Sequence, residues 1–104
     1  MPTEFQVRLT RRAKADIDEI WTFIAHDSVT DANRFIYQLE RQLKKLRRFP
    51  ERCPLIPENE SSDRRYRHLL YREYRTIFFV SGRIVRVLRV IHGSRLLDIT
   101  SLDL

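Results

Sequence analysis

Phe5, Val7 and Leu9 alternate with Gln6 and Arg8, a period of two that predicts a short strand with one buried face. Thr10 follows as an N-cap, because its hydroxyl can accept from the first free amides of a helix. From Arg11 to about His26 the apolar positions Ala13, Ile17, Ile20, Trp21 and Ile24 recur at spacings of three and four, which places them on one helical face. Asp16, Asp18 and Glu19 are expected to face water, and His26 to close the helix, where the dipole favours it. The pattern breaks at His26-Asp27-Ser28. Ser28 and Asp31 have capping-box spacing and predict a second helix, whose stripe is Ala32, Phe35, Ile36, Leu39, Leu43 and Leu46. That helix ends at Phe49-Pro50, since proline cannot continue it. So short a link between helices predicts an antiparallel hairpin, with Arg34, Arg41, Lys44, Lys45 and Arg48 on its outer, solvated face.

Glu51 to Asp63 is rich in turn residues and polar side chains and predicts a loop. Three strand-like segments follow, at about Tyr66–Tyr71, Tyr74–Val80 and Ile84–His92. Ser81-Gly82 predicts a tight turn that makes a hairpin of the last two. Ile84 to Ile91 has apolar residues at both parities and an arginine at every third position. A helix is one reading; β-branched enrichment and the hairpin signal favour a strand covered on both faces. The predicted order is β-α-α-β-β-β, an α+β fold in which the helical hairpin packs one face of a small antiparallel sheet and the other face stays partly open.

The chain has 104 residues, enough for one domain over residues 1–104. Charge is concentrated. Residues 64–95 carry nine arginines against the single acid Glu73, a net of +8 where the whole chain has +6, so the remainder sums to −2. Arginines distributed over a sheet predict an anionic partner, either a phosphate backbone or an acidic protein segment. Cys53 is the only cysteine, which excludes an intrachain disulfide and a cysteine-ligated zinc; it reads as an incidental thiol. No cofactor or metal is expected. No apolar run reaches the length of a signal peptide or membrane span, which predicts a cytoplasmic protein.

The chain resembles the RelE/ParE superfamily of bacterial toxin–antitoxin toxins over nearly its whole length. The resemblance rests on Val7-Arg8-Leu9-Thr10 followed by Ala13, Asp16-Ile17 and Ile20-Trp21, and on Phe49-Pro50 before a loop with Pro57-Glu58. It is most specific in Tyr66-Arg67-His68-Leu69, Tyr74-Arg75, Val87-Leu88-Arg89-Val90 and Ile91-His92-Gly93-Ser94-Arg95. It implies the fold derived above, a cognate antitoxin that wraps the toxin, and one of two activities. RelE-like members cut messenger RNA on the ribosome; ParE-like members poison DNA gyrase.

Metal-independent RNA cleavage needs a base, an acid and cations for the charged transition state. Arg67, Arg75 and Arg95 match positions where RelE-like nucleases place basic residues, and His92 is the titratable group nearest Arg95 in sequence. On a regular strand His68 points away from the face of Arg67. The bland readings are specific too: His92 fixes the turn before Gly93, Arg67 and Arg75 brace the sheet against Glu58, Glu60 or Asp63, and Tyr66, Tyr71 and Tyr74 pack. Nuclease members carry a C-terminal aromatic, whereas no aromatic follows Phe79 here. The preferred expectation is a ParE-like toxin that inhibits DNA gyrase without itself being an enzyme. Arg67, Arg75, Arg86, Arg89 and Arg95, on the basic sheet face and the segment Arg89 to Leu104, would contact target or antitoxin. The alternatives are a ribosome-dependent mRNA endoribonuclease using Arg67, Arg75, His92 and Arg95, and a member that has lost toxicity and persists as a binding partner.

Overall fold

A computed structural model describes residues 4–61, 64–95 and 97. Their order is β1 (Gln6–Leu9), α1 (Arg11–Ala25), α2 (Val29–Lys44), β2 (Arg67–Tyr71), β3 (Tyr74–Ser81) and β4 (Ile84–His92), with 3-10 turns at Lys45–Arg47, Pro50–Arg52 and Pro57–Ser61. The expected caps form: the Ala13 amide donates to Thr10 Oγ1 at 3.1 Å and the Asp31 amide to Ser28 Oγ at 3.1 Å. Regular α2 stops before Phe49-Pro50, but a 3-10 turn keeps Leu46 buried. Phe49 adopts a left-handed φ of 51°; the following proline crowds it out of the helical region.

The strands form one sheet in the order β1-β4-β3-β2. β2, β3 and β4 are an antiparallel meander, whereas β1 runs parallel to β4, pairing Val7 with Val85 and Leu9 with Val87. The sheet is therefore mixed, where the sequence reading expected antiparallel pairing throughout. The β3–β4 turn uses Gly82 and Arg83 rather than Ser81-Gly82, with Ser81 paired to Ile84 and Gly82 at φ 61°. Only glycine takes that conformation without a Cβ penalty.

As expected, β4 is an inner strand covered on both faces. Toward the helices, Phe78, Val85, Val87 and Val90 meet Ala13, Ile20, Leu39, Leu43 and Leu46. On the opposite face Ile77, Leu88 and Ile91 pack with Ile56 and Tyr66. Each of the buried Val, Leu, Ile and Phe side chains among them stabilises the fold by about 1.5–3 kcal/mol relative to exposure. The mixed parity of β4 has a second cause. Phe78 pairs with Val87 and Ile77 with Arg89, so Leu88 is an extra residue, a bulge that reverses the facing pattern after it. The loop around Ile56 lies against part of the face opposite the helices, which therefore stays partly open, as expected.

Asp16 is a further correction. It was expected in water and is 3% exposed. Arg89 Nε and Nη2 donate to its two oxygens at 2.8 and 3.2 Å, and the Val90 amide donates at 2.9 Å. Position 16 lies beside Ala13, Ile17 and Ile20 on the inward stripe of α1, at the margin where β4 passes beyond the end of β1. A carboxylate there is retained because three donors meet it.

Candidate functional site

The β2–β3 register sets the site. His68 pairs with Ile77 and Leu70 with Arg75, and paired residues share a face, so His68 and Arg75 project together. As parity predicted, Arg67 points elsewhere: its Nη1 donates to the Cys53 carbonyl at 2.7 Å and ties β2 to the loop. His68 and Arg75, with Pro57, Glu58, His92, Gly93 and Arg95, line a cleft of about 570 Å³ rimmed by Leu70, Arg72 and Glu73.

Arg75 is the central cation and is 6% exposed. It makes a two-pronged bond to Glu58, Nη1 to Oε1 at 3.0 Å and Nη2 to Oε2 at 2.6 Å. This geometry is the strongest form of an arginine–carboxylate contact. The fork holds the Glu58 carboxyl below its ordinary value. Nη2 also reaches the Arg95 carbonyl at 3.4 Å. The bracing of Arg75 by Glu58 is the pairing the sequence suggested. Asp63 lies outside the described residues.

His92 fixes the turn after β4. The Ser94 amide donates to its Nδ1 at 3.2 Å, and the Ser94 hydroxyl lies 2.7 Å from the same atom. Nδ1 as acceptor leaves the ring proton on Nε2, which stands 3.7 Å from the Glu73 carboxylate. The His92 ring meets Tyr74 edge-on, and Tyr71 and Tyr74 pack on Phe35. Tyr66 is buried. All three tyrosines are packing groups.

His68 was not among the candidates that sequence reasoning selected, yet it stands beside Arg75 in the cleft. Burial, and after it the charge of Arg75, lower its pKa. Its Nδ1 and Arg75 Nε are both buried without a hydrogen-bond partner among the described residues. Hairpin register was the signal that pointed to it: a two-residue turn at Arg72-Glu73 puts positions 68 and 75 on one face.

The cleft thus gathers Arg75, His92 and Arg95 and leaves out Arg67, Arg86 and Arg89. Arg86 is half-buried on β4, paired with Phe79 and Arg8. Arg89 belongs to Asp16. Arg64, Arg72 and Arg83 lie over the rings of Phe79, Tyr71 and Phe5. Of the nine arginines of residues 64–95, Arg75 and Arg89 are matched by internal carboxylates, whereas Arg64, Arg65, Arg72, Arg83 and Arg95 are exposed. The segment past Arg95, apart from Leu97, lies outside the described residues.

A second groove runs between β1 and α2. It is lined by Phe5, Val7, Leu9 and Leu43, with Arg8, Lys44 and Arg47 at its margins. β1 is an edge strand, so half of its backbone groups face this groove unpaired by the sheet. Among the described residues no cluster of His, Cys, Asp and Glu is arranged to hold a metal ion, and no helix is long and apolar enough to cross a membrane.

Residues 7–97 match the sequence profile of the ParE toxin of the type II toxin–antitoxin system parDE. Among solved structures, the chromosomal ParDE toxin–antitoxin system from P. aeruginosa superposes with a TM-score of 0.71 at 22% identity, covering 86% of this chain and 97% of that one. The RelBE2 toxin–antitoxin complex from Mycobacterium tuberculosis superposes with a TM-score of 0.53, also at 22% identity, covering 86% and 98%. Identities this low speak for the fold alone. No curated protein matches the sequence.

Proposed function

The chain belongs to the ParE toxin family of type II toxin–antitoxin systems, and we propose from that premise that it acts as a toxin by binding a protein target, DNA gyrase, and that a cognate antitoxin neutralises it. The observation that carries a binding reading over a cutting one is the Arg75–Glu58 fork. An RNA-cleaving site needs free cations around the scissile phosphate, and the central cation of this cleft is already matched by an internal carboxylate. Two of the other nuclease candidates are also engaged, Arg67 with the Cys53 carbonyl and His92 with the Ser94 turn. Arg95 is exposed at the mouth of the cleft and is positioned to meet an acidic group of the target.

The antitoxin in this reading docks along the groove between β1 and α2. An extended segment pairs with the free edge of β1, its apolar side chains cover Val7, Leu9 and Leu43, and its acids meet Arg8, Lys44 and Arg47.

One specific observation favours the endoribonuclease reading: His68, its pKa lowered by burial and its Nδ1 without a hydrogen-bond partner among the described residues, stands next to Arg75. A single experiment separates the two. The chain is induced without antitoxin, and plasmid supercoiling, the DNA-damage response and transcript integrity are followed together. Gyrase inhibition gives relaxed or cleaved DNA with intact messages. Codon-linked cuts in translated messages, lost in His68→Gln, would establish the nuclease and overturn the proposal. Normal growth would leave a non-toxic binding partner.

A further inference from the structure

The outer face of α2 lies outside the cleft and carries a regular row of cations, of which Lys44 also borders the β1 groove. Arg34, Arg41 and Lys45 lie near its centre line, and Lys44 and Tyr37 beside them. All five are exposed. The row continues to the exposed Arg48, which shares Glu4 with Arg47 at 3.7 and 3.6 Å. At the other end Arg34 is 3.7 Å from Asp31. Between them, Arg41, Lys44 and Lys45 make no ion pair among the described residues. The other acid of α2, Glu40, sits on the side facing the β1 groove.

We propose that this face of α2 binds the phosphate backbone of duplex DNA without reading its sequence. The composition of the face selects that partner. A protein interface is built around a desolvated apolar or aromatic centre, and here the centre is arginine and lysine, with the exposed Tyr37 at its side and Phe49 beyond its C-terminal end. Single-stranded RNA and DNA are held by several successive aromatic platforms on which bases stack; two rings twelve residues apart, one in mid-helix and one beyond its end, do not form such a series. What remains is a rigid cationic row about 16 Å long from Arg34 to Lys45, at 1.5 Å per helical residue. It faces a polymer whose charges are regular and closely spaced. Interfaces of this kind are polar, strongly positive and stabilised by counterion release. The inference rests on α2 alone and stands whether the toxin's target is gyrase or another molecule.

The test is fluorescence anisotropy of the full-length chain with a labelled duplex of arbitrary sequence, titrated between about 50 and 200 mM salt. Log affinity should fall linearly with log salt, with a slope of about −2.7 to −3.6 for three or four neutralised phosphates. The triple variant Arg41→Gln, Lys44→Gln, Lys45→Gln should bind at least tenfold more weakly at low salt and lose about 2.7 from the slope. A second triple variant, Arg11→Gln, Lys14→Gln, Arg65→Gln, removes the same net charge from exposed positions elsewhere and should keep the wild-type slope. Equal losses in the two triple variants would reduce the effect to net charge and overturn the site. So would tighter binding to single-stranded RNA, or binding of polyglutamate but not of duplex DNA. If the first triple variant does not fold, Arg41→Gln and Lys45→Gln alone should each remove about 0.9 from the slope, and an unchanged slope in both overturns the proposal.

Discussion

The Asp16–Arg89 pair shows what a single residue can decide in this fold. Both partners are largely withdrawn from water, with side-chain exposures of 3% and 12%. Desolvating two charges is expensive, and it is offset here by the two-pronged geometry, by the Val90 amide on a further lone pair, and by Arg12 Nε at 3.4 Å from Asp16 Oδ1. Removing Asp16 leaves the largely buried Arg89 charge without its carboxylate. Asp16→Ala should therefore destabilise the protein by about 3–5 kcal/mol, read as a shift in the urea midpoint. The double replacement Asp16→Leu with Arg89→Leu should recover most of that loss, because apolar groups of similar volume often substitute for a buried pair without penalty. If Asp16→Ala alone costs under ~1 kcal/mol, water reaches the site and the pair is a surface one. The sequence hid this pair for a physical reason. Asp16 looked like one of three acids on a solvated helix, and its partner lies 73 residues away.

At the scale of the element, local signals were strong wherever a single residue sets the geometry. Thr10 is the clearest case, since it does two jobs. Its hydroxyl accepts from the Ala13 amide and donates to the Leu88 carbonyl at 3.1 Å, so it caps α1 and ties it to the bulge of β4. Thr10→Ala should cost about 1–2 kcal/mol, one portion from the lost cap and one from the Leu88 carbonyl left with one donor fewer. Thr10→Ser, which keeps the hydroxyl, should keep most of the stability in the same denaturation experiment. Equal losses in the two variants would mean that the threonine methyl and its packing, not the hydroxyl, carry the effect. The same local logic made the two helices, the hairpin strands and the caps legible in advance. What it did not show was pairing between distant segments. Nothing in Gln6–Leu9 indicates that its neighbour is β4 and that it runs parallel. The Leu88 bulge was visible only as mixed parity, for which coverage on both faces was sufficient explanation. The cleft was half legible: Arg75, His92 and Arg95 were singled out, whereas His68 needed the β2–β3 register to enter it.

Over the whole molecule, the sheet divides two unequal cores, and the smaller one holds the loop that closes the cleft. Ile56 packs under Tyr66 and Ile77, its amide donates to the Tyr66 carbonyl at 2.9 Å, and Glu58 reaches over to Arg75. Two titratable groups act on this closure, in adjoining pH ranges. His68 has a folded pKa below its ordinary 6.5, because burial and Arg75 disfavour its charged form. Unfolded chains therefore take up the proton first, and stability, complete above pH 6.5, is lost as pH falls from there toward the folded value. Glu58 has a folded pKa below its ordinary 4.5. Its contribution is present above 4.5 and is lost as pH falls through the lower folded value. Acid should thus loosen the cleft in two stages, His68 first and Glu58 second. Urea midpoints at about pH 7.5 and 5.5, either side of the ordinary histidine pKa, should differ in the wild type and converge in His68→Gln. Amide exchange at Ile56 and Asn59 should rise over the same interval while the central amides of β3 and β4 stay protected, because a loop held by few contacts opens locally before the sheet unfolds. If His68→Gln keeps the full pH dependence, the burial of His68 is not its cause. If the amides of β3 exchange together with Ile56, loop and sheet open as one cooperative unit, and Arg75 is uncovered only by unfolding.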